Sequence, residues 1–128
     1  MQGSGTIELT SSIALSDQVT IDSGKTIILD MNGETLSIGF SDSSKNLIVN
    51  NGTLTITGDG TFDATEATSY KGFINNYGTL TVENGTFQIA DKAMTVHLRN
   101  QDGGKAVING GTFSGGATIV RSFEGSNT

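Results

Sequence analysis

Hydrophobic and polar residues alternate in short runs along this chain, and many of the runs begin or end at glycine. The motif Gly-Thr-Leu-Thr, followed by isoleucine or valine, occupies residues 52–56 and recurs 26 positions later at residues 78–82. The motif Gly-Thr-Phe occupies residues 60–62 and recurs at residues 85–87 and 111–113, at steps of 25 and 26 positions. Because residues two apart on a strand point to one face, the alternation predicts short, regularly repeated β-strands.

Aligning the copies produces three apolar columns that are predicted to face a common core. A degenerate earlier copy begins at Gly24, and the positions between the columns, such as Thr55 and Thr81, are predicted to face solvent. The first column is Ile27, Leu54, Leu80 and Ala106, the second is Leu29, Ile56, Val82 and Ile108, and the third is Leu36, Phe62, Phe87 and Phe113.

The constant spacing also predicts how the strands are arranged. Hairpins would pair neighbouring strands without requiring similar residues at a fixed separation in the sequence. A solenoid, in which each coil stacks on the preceding one, does require them. Glycines such as Gly58 and Gly85 suit the positive φ of corners between strands. The chain is therefore predicted to be all-β, a parallel β-solenoid of about 4–5 coils of about 26 residues. An antiparallel sandwich or meander is the alternative.

Three stretches resemble the right-handed parallel β-helix, or pectin-lyase-like, fold of bacterial surface proteins and phage virion proteins. They are residues 19–38 (VTIDSGKTIILDMNGETLSI), 50–64 (NNGTLTITGDGTFDA) and 75–87 (NNYGTLTVENGTF). The resemblance extends over residues 6–120 and implies a single-stranded, right-handed parallel β-helix. It is specific for the fold and weak for function, since such repeats occur in many unrelated non-catalytic proteins.

Composition excludes several function classes. Glycine, threonine, serine and asparagine make up nearly half of the 128 residues, and there is no cysteine for a disulfide, a thiolate metal site or thiol catalysis. The net charge of −6 disfavours binding to nucleic acid. No apolar run is long enough for membrane insertion, and no secretory signal is recognisable at the N-terminus.

The chain is predicted to form one domain with distinct ends. Residues 1–5 are interpreted as a flexible N-terminus or cloning remnant, 6–23 as an N-terminal coil or cap, 24–120 as the repeats and 121–128 as a C-terminal tail. Since a solenoid exposes unpaired backbone at its ends, we expect the C-terminal end to be covered. The cover would be another subunit, the tail folding back through Phe123, or further sequence.

Asparagines recur at one position of the repeat. Asn50 and Asn76 are 26 residues apart, and Asp102 continues that spacing. We expect a structural ladder in which the side-chain amides bond to each other and to backbone groups of successive turns. The alternative is a row that binds a sugar or a cation.

The carboxylates do not form a recognisable catalytic set. Asp59, Asp63 and Glu66 are the densest group, and paired carboxylates hydrolyse glycosidic bonds. However, the Asn-x-Asp, Asp-Asp, Gly-His-Gly and Arg-x-Lys segments of polygalacturonase-type helices do not occur. His97 is predicted to face outward on its strand, and no acidic cluster lies in register with Arg99 or Arg121. The chain is therefore predicted not to be an enzyme, with a polysaccharide lyase or hydrolase fragment as the alternative.

Two minor ligand sites are candidates. Asp59 and Asp63 are the candidate cation ligands, and no cofactor is expected. Tyr70 and Tyr77 are candidates for stacking on a sugar, although packing against the rod or a neighbouring subunit is the preferred interpretation. The Thr-x-Thr pairs at residues 53–55 and 79–81 are interpreted as an ordinary solvated β-face.

These observations together favour a non-catalytic structural or attachment module. The resemblance implies a phage virion component, such as a fibre, spike or capsid decoration, located on the virion surface. A glycan-binding repeat domain of a bacterial adhesin, extracellular on the cell surface, is the alternative. The absence of an export signal favours the phage interpretation. The expected partners are further copies of the chain or other subunits of an assembly, and a surface glycan. The resemblance to fibrous proteins implies a trimer as one form of self-association.

Overall fold

The computed structural model of the chain describes residues 4–39, 46–65, 73–89, 96–115 and 118–128, with the backbone alone for Val96 and Thr118. Regular structure in these residues consists of fifteen β-strands. In chain order they are β1 (Gly5–Glu8), β2 (Ile13–Leu15), β3 (Val19–Ile21), β4 (Thr26–Asp30), β5 (Thr35–Ile38), β6 (Ile48–Asn50), β7 (Thr53–Thr57), β8 (Thr61–Ala64), β9 (Ile74–Asn76), β10 (Thr79–Val82), β11 (Thr86–Ile89), β12 (Val96–Asn100), β13 (Lys105–Ile108), β14 (Thr112–Ser114) and β15 (Thr118–Ser122).

The strands form three parallel sheets that run along a β-solenoid of about four turns. Every third strand joins the same sheet, so that sheet 1 is β1-β4-β7-β10-β13, sheet 2 is β2-β5-β8-β11-β14 and sheet 3 is β3-β6-β9-β12-β15. Five sets of three strands are stacked in this way, separated by four turns, and we number them as coils 1 (β1–β3) to 5 (β13–β15). Thr53 pairs with Thr79 and Leu54 with Leu80, which is the register expected from the 26-residue repeat. The predicted all-β parallel solenoid is confirmed, and the antiparallel alternative is wrong.

The core lies between the three sheets and contains the three predicted columns. All of their members are buried except Ile108 and Phe113 in coil 5, which are partly buried. Sheet 3 and the residues directly before its strands add inward side chains that the repeat did not identify, because these strands are short and follow connections of unequal length. These residues are Ile21, Leu47, Ile48, Phe73, Ile74 and Leu98.

Aromatic rings stack along the axis where sheet 2 faces the core. Phe87 lies between Phe62 and Phe113, with ring centroids 4.8 Å apart on each side and interplanar angles of 6° and 10°. Phe73 meets Phe62 and Phe87 edge-on, each at 6.0 Å. The rings stack because parallel strands in register place identical positions one strand spacing apart, about 4.8 Å.

Close approach of successive coils requires glycine at one corner. Gly78 follows sheet 3 and lies against the coil beneath it, where a Cβ atom would collide with the carbonyl oxygen of Gly52. The same position in the next coil down is Gly52 itself, which faces the carbonyl oxygens of Asp22 and Lys25. The repeated glycine therefore allows the coils to approach to hydrogen-bonding distance at this corner.

The two end segments both continue the coil. Residues 6–23 contain most of β1 together with β2 and β3, which pair in parallel with β4, β5 and β6. Within residues 121–128, the tail returns to sheet 1, where Asn127 pairs in parallel with Lys105 and accepts a hydrogen bond from the Ala106 amide at 2.7 Å. Of the three covers expected for the C-terminal end, the structure therefore shows the tail that folds back. The residue that pairs with sheet 1 is Asn127 and not Phe123.

Candidate functional site

A buried row of asparagines joins coils 2, 3 and 4 at the end of sheet 3. Asn50 Nδ2 donates to Asn76 Oδ1 at 2.8 Å, and Asn76 Nδ2 donates to Asn100 Oδ1 at 2.9 Å. Asn50 also donates to the backbone oxygen of Thr79 at the start of coil 4, and Asn76 to that of Lys105 at the start of coil 5. All three asparagines are fully buried, so these amides serve contacts between coils.

The prediction that Asp102 continues this row is wrong, because Asn100 occupies the position. Strand β12 pairs with β9 so that Asn100 lies opposite Asn76, an offset of 24 residues, and Asp102 falls in the exposed turn that follows. Relative to the preceding coil, one residue is missing between β10 and β11 and one more between β11 and β12, so the step falls from 26 in sheet 1 to 25 in sheet 2 and 24 in sheet 3. The sequence did contain a usable signal, since Asn76 and Asn100 each follow an apolar residue by two positions.

The prediction that His97 faces outward is also wrong. Its side chain is 1% exposed and packs against the rings of Phe73 and Phe113, with both centroids at 5.5 Å. Leu98 pairs with Ile74, so His97 occupies the corner position that Phe73 holds one coil earlier. His97 Nε2 lies 3.1 Å from the carbonyl oxygen of Gly115, while Nδ1 is buried without a hydrogen-bond partner. Burial lowers the pKa of His97 below its ordinary value of 6.5, although hydrogen bonds with Gly115 and Ser114 oppose this shift.

The buried histidine leads to a pH-dependent stability. The unfolded chain, with the ordinary pKa of 6.5, binds a proton more readily than the folded chain, so unfolding is favoured as the pH falls below that value. We expect the free energy of unfolding to decrease from about pH 7.5 to about pH 5.5, by at most about 1.4 kcal/mol per pH unit for one proton. His97→Phe should reduce this slope in urea titrations. Equal slopes in the two proteins would contradict the prediction.

The two candidate cation ligands are engaged with other side chains and lie in different elements. Asp59, in the corner before β8, accepts a hydrogen bond from Asn84 at 2.7 Å. Asp63, on the outer face of β8, accepts from the amide and the hydroxyl of Thr65. Glu66 lies outside the described residues. No three histidine, aspartate or glutamate side chains in the described part of the chain are grouped so as to hold a metal ion.

The contact between Asp59 and Asn84 is one of three similar pairs between coils among the residues that the structure describes. Each joins a carboxylate on one coil to a carboxamide on the next, near the corner between sheets 1 and 2. The pairs are Glu8 with Asn32, Asp59 with Asn84, and Glu83 with Asn109. Like the asparagine row in the interior, these surface pairs join successive coils.

The threonine pairs occupy the outer face of sheet 1. Thr53 and Thr55 lie opposite Thr79 and Thr81 in the next strand. The flanking strands place the exposed residues Ile28 and Val107 in line with Thr55 and Thr81, so the threonine pattern is confined to two strands.

The outer face of sheet 3 carries a more distinctive group of side chains. We call it the arginine–aromatic face, and it comprises Asn75 and Tyr77 from coil 3, Arg99 and Gln101 from coil 4, and Arg121 and Phe123 from coil 5. The register places Arg99 directly between Asn75 and Arg121. Tyr77, a candidate for stacking on a sugar, is 48% exposed here. Tyr70, the other candidate, lies outside the described residues.

Contacts within the arginine–aromatic face hold its side chains in place. Asn75 Nδ2 donates to the Tyr77 hydroxyl at 3.4 Å, and Asn75 Oδ1 accepts from Gln101 Nε2. The guanidinium carbon of Arg121 lies 5.0 Å from the centre of the Phe123 ring, and that of Arg99 lies 5.9 Å from it. One ring therefore holds both cations through cation–π contacts.

The charge of this face is not balanced locally. Arg99 and Arg121 are the only arginines in a chain of net charge −6. Neither guanidinium forms an ion pair with a carboxylate within the described ranges, and Arg99 Nε is buried without a hydrogen-bond partner. The sequence drew attention to Tyr77 and to the arginines, but it contained no signal that they share a surface.

Comparison of the chain with protein-family models, with curated proteins and with solved structures gave no match. No helix long and apolar enough to cross a membrane occurs among the residues described above.

Proposed function

We propose that this chain is a non-catalytic structural and attachment module, and specifically a component of a phage virion such as a fibre, spike or capsid decoration. One observation carries the proposal: polar side chains that would otherwise be available for chemistry are used to join coils. The asparagine row does so in the interior, and the three carboxylate–amide pairs do so at the surface. A rod held together in this way suits a load-bearing or display role.

The resemblance to pectin-lyase-like repeats of virion proteins supports the same proposal. Such repeats stack through nearest-neighbour contacts and display their outer faces, while the buried residues maintain the rod. His97 is consistent with this role, because it lies in the core between two phenylalanine rings.

A glycan-binding module of a bacterial adhesin is the second candidate. The arginine–aromatic face favours it, because this face combines an exposed tyrosine, two amides and two guanidinium groups that form no ion pair within the described ranges. Both candidates share an attachment role and differ in the particle that carries the chain. Immunogold labelling of purified phage and of intact bacteria distinguishes them, and we expect the label on virions.

The non-catalytic part of the proposal is tested by incubating the purified chain with pectin-type and alginate-type polymers. We expect no new reducing ends and no unsaturated uronate product. The structural part is tested by analytical ultracentrifugation, which we expect to detect self-association of the chain. Turnover of either polymer would overturn the proposal in favour of a lyase or hydrolase.

A further inference from the structure

The arginine–aromatic face has the composition of a binding site for an anion attached to a sugar. Its two cations, Arg99 and Arg121, lie at paired positions on adjacent strands. Both guanidinium groups contact the ring of Phe123. A guanidinium group donates two parallel hydrogen bonds to a carboxylate or a sulfate. Two such groups on neighbouring strands, with no carboxylate of the described chain paired to them, leave this donor capacity available.

Beside the cations lie groups that suit a sugar ring. Asn75 connects Tyr77 and Gln101 through hydrogen bonds and so orients both of them. This network leaves the hydrogen of the Tyr77 hydroxyl and the Oε1 atom of Gln101 without a partner among the described residues. One donor and one acceptor are therefore available for sugar hydroxyl groups, next to an exposed aromatic ring.

We propose that the arginine–aromatic face binds a single acidic sugar, with its carboxylate or sulfate held by Arg99 and Arg121 and its ring against Tyr77 and Gln101. The inference rests on the attachment role proposed above and names the class of ligand. A single terminal sugar fits better than an extended polyanion, because the two arginines of the described face lie on adjacent strands of a chain with a net charge of −6. The same net charge of −6 disfavours a nucleic acid backbone.

The test uses three small probes that differ only at C6: methyl glucuronide, methyl glucoside 6-sulfate and the uncharged methyl glucoside. Binding to the whole chain is followed by two-dimensional NMR and by calorimetry. We expect the glucuronide or the sulfate to bind with a dissociation constant of about millimolar and to shift the signals of Asn75, Tyr77 and Gln101. We expect the glucoside to bind at least about tenfold more weakly. Comparison of the two charged probes identifies the preferred anion.

Variants separate recognition from general electrostatics. Arg121→Gln removes an exposed cation of the face and is expected to weaken binding at least about tenfold. Arg121→Lys, which keeps the charge but loses the planar fork, should weaken it by a smaller factor. The matched control is Lys105→Gln, which removes the same charge from an exposed residue of sheet 1 and should leave binding unchanged. Circular dichroism verifies that each variant is folded.

Several results would overturn the inference. They are equal binding of charged and uncharged probes, equal effects of Arg121→Gln and Lys105→Gln, and shifts confined to other sheets. Tighter binding of a short single-stranded DNA through the same arginines would show that the ligand is not a sugar. None of these results affects the structural proposal, which fails on polymer cleavage instead.

Discussion

The Phe87→Ala variant is expected to be less stable than the parent chain by about 3–5 kcal/mol in free energy of unfolding. Phe87 is 2% exposed and is the central ring of the axial stack, between Phe62 and Phe113. Its removal deletes two stacked contacts and the edge contact with Phe73. The cavity would remain largely open, because hydrogen bonds between the coils hold the neighbouring strands at a fixed spacing.

Urea denaturation followed by circular dichroism measures this loss. Phe123→Ala is the matched control, since it removes the same side chain from the outer face of sheet 3, where the ring is only partly buried. We expect that control to cost about 1 kcal/mol or less. If the two variants lost the same stability, the ring stack would not be a principal contributor to the fold.

The second large effect is expected at the centre of the asparagine row. Asn76→Ala should lower the free energy of unfolding by about 2–4 kcal/mol, because each buried polar group left without a partner costs about 1–3 kcal/mol. Asn76 accepts from Asn50 and donates to Asn100 and to the carbonyl oxygens of Gly78 and Lys105. Its loss therefore affects coils 2 to 5 together.

A second substitution tests the donors separately from the size of the side chain. Asn76→Asp keeps the shape but replaces the donating amide with a buried negative charge that faces carbonyl oxygens, so we expect a larger loss at neutral pH. In mild acid the carboxyl group of the Asn76→Asp variant is protonated and regains one donor, so the difference in stability between this variant and the parent should become smaller. Exposed Asn51→Ala is the control and should remain within about 0.5 kcal/mol of the parent chain. Equal losses in the Asn51 and Asn76 variants would contradict a structural role for the row.

Sheet 1 was the part of the fold most accessible from the sequence. Its copies at residues 53–56 and 79–82 carry alternating apolar residues with a constant step of 26, and the strands pair in that register. Binary alternation determines which face is buried, and constant spacing determines which residues stack. Both properties are local, so they can be read without knowledge of the rest of the molecule.

Sheet 3 was less accessible, because the connections before its strands vary in length. Strand β9 follows β6 with an offset of 26 residues, whereas β12 follows β9 with an offset of 24. Extrapolation of the constant step selected Asp102 in place of Asn100. Strict alternation placed His97 outward, although the corner before β12 turns it into the core beside Phe73.

The sequence by itself determined that this chain forms stacked parallel coils, because a 26-residue register of alternating apolar residues has no comparable explanation in hairpins or helices. Only the tertiary structure decided which polar groups meet. Asn75, Arg99 and Arg121 come from three different coils and become neighbours through the register of sheet 3. That register depends on the lengths and shapes of the intervening connections, which composition and periodicity do not specify.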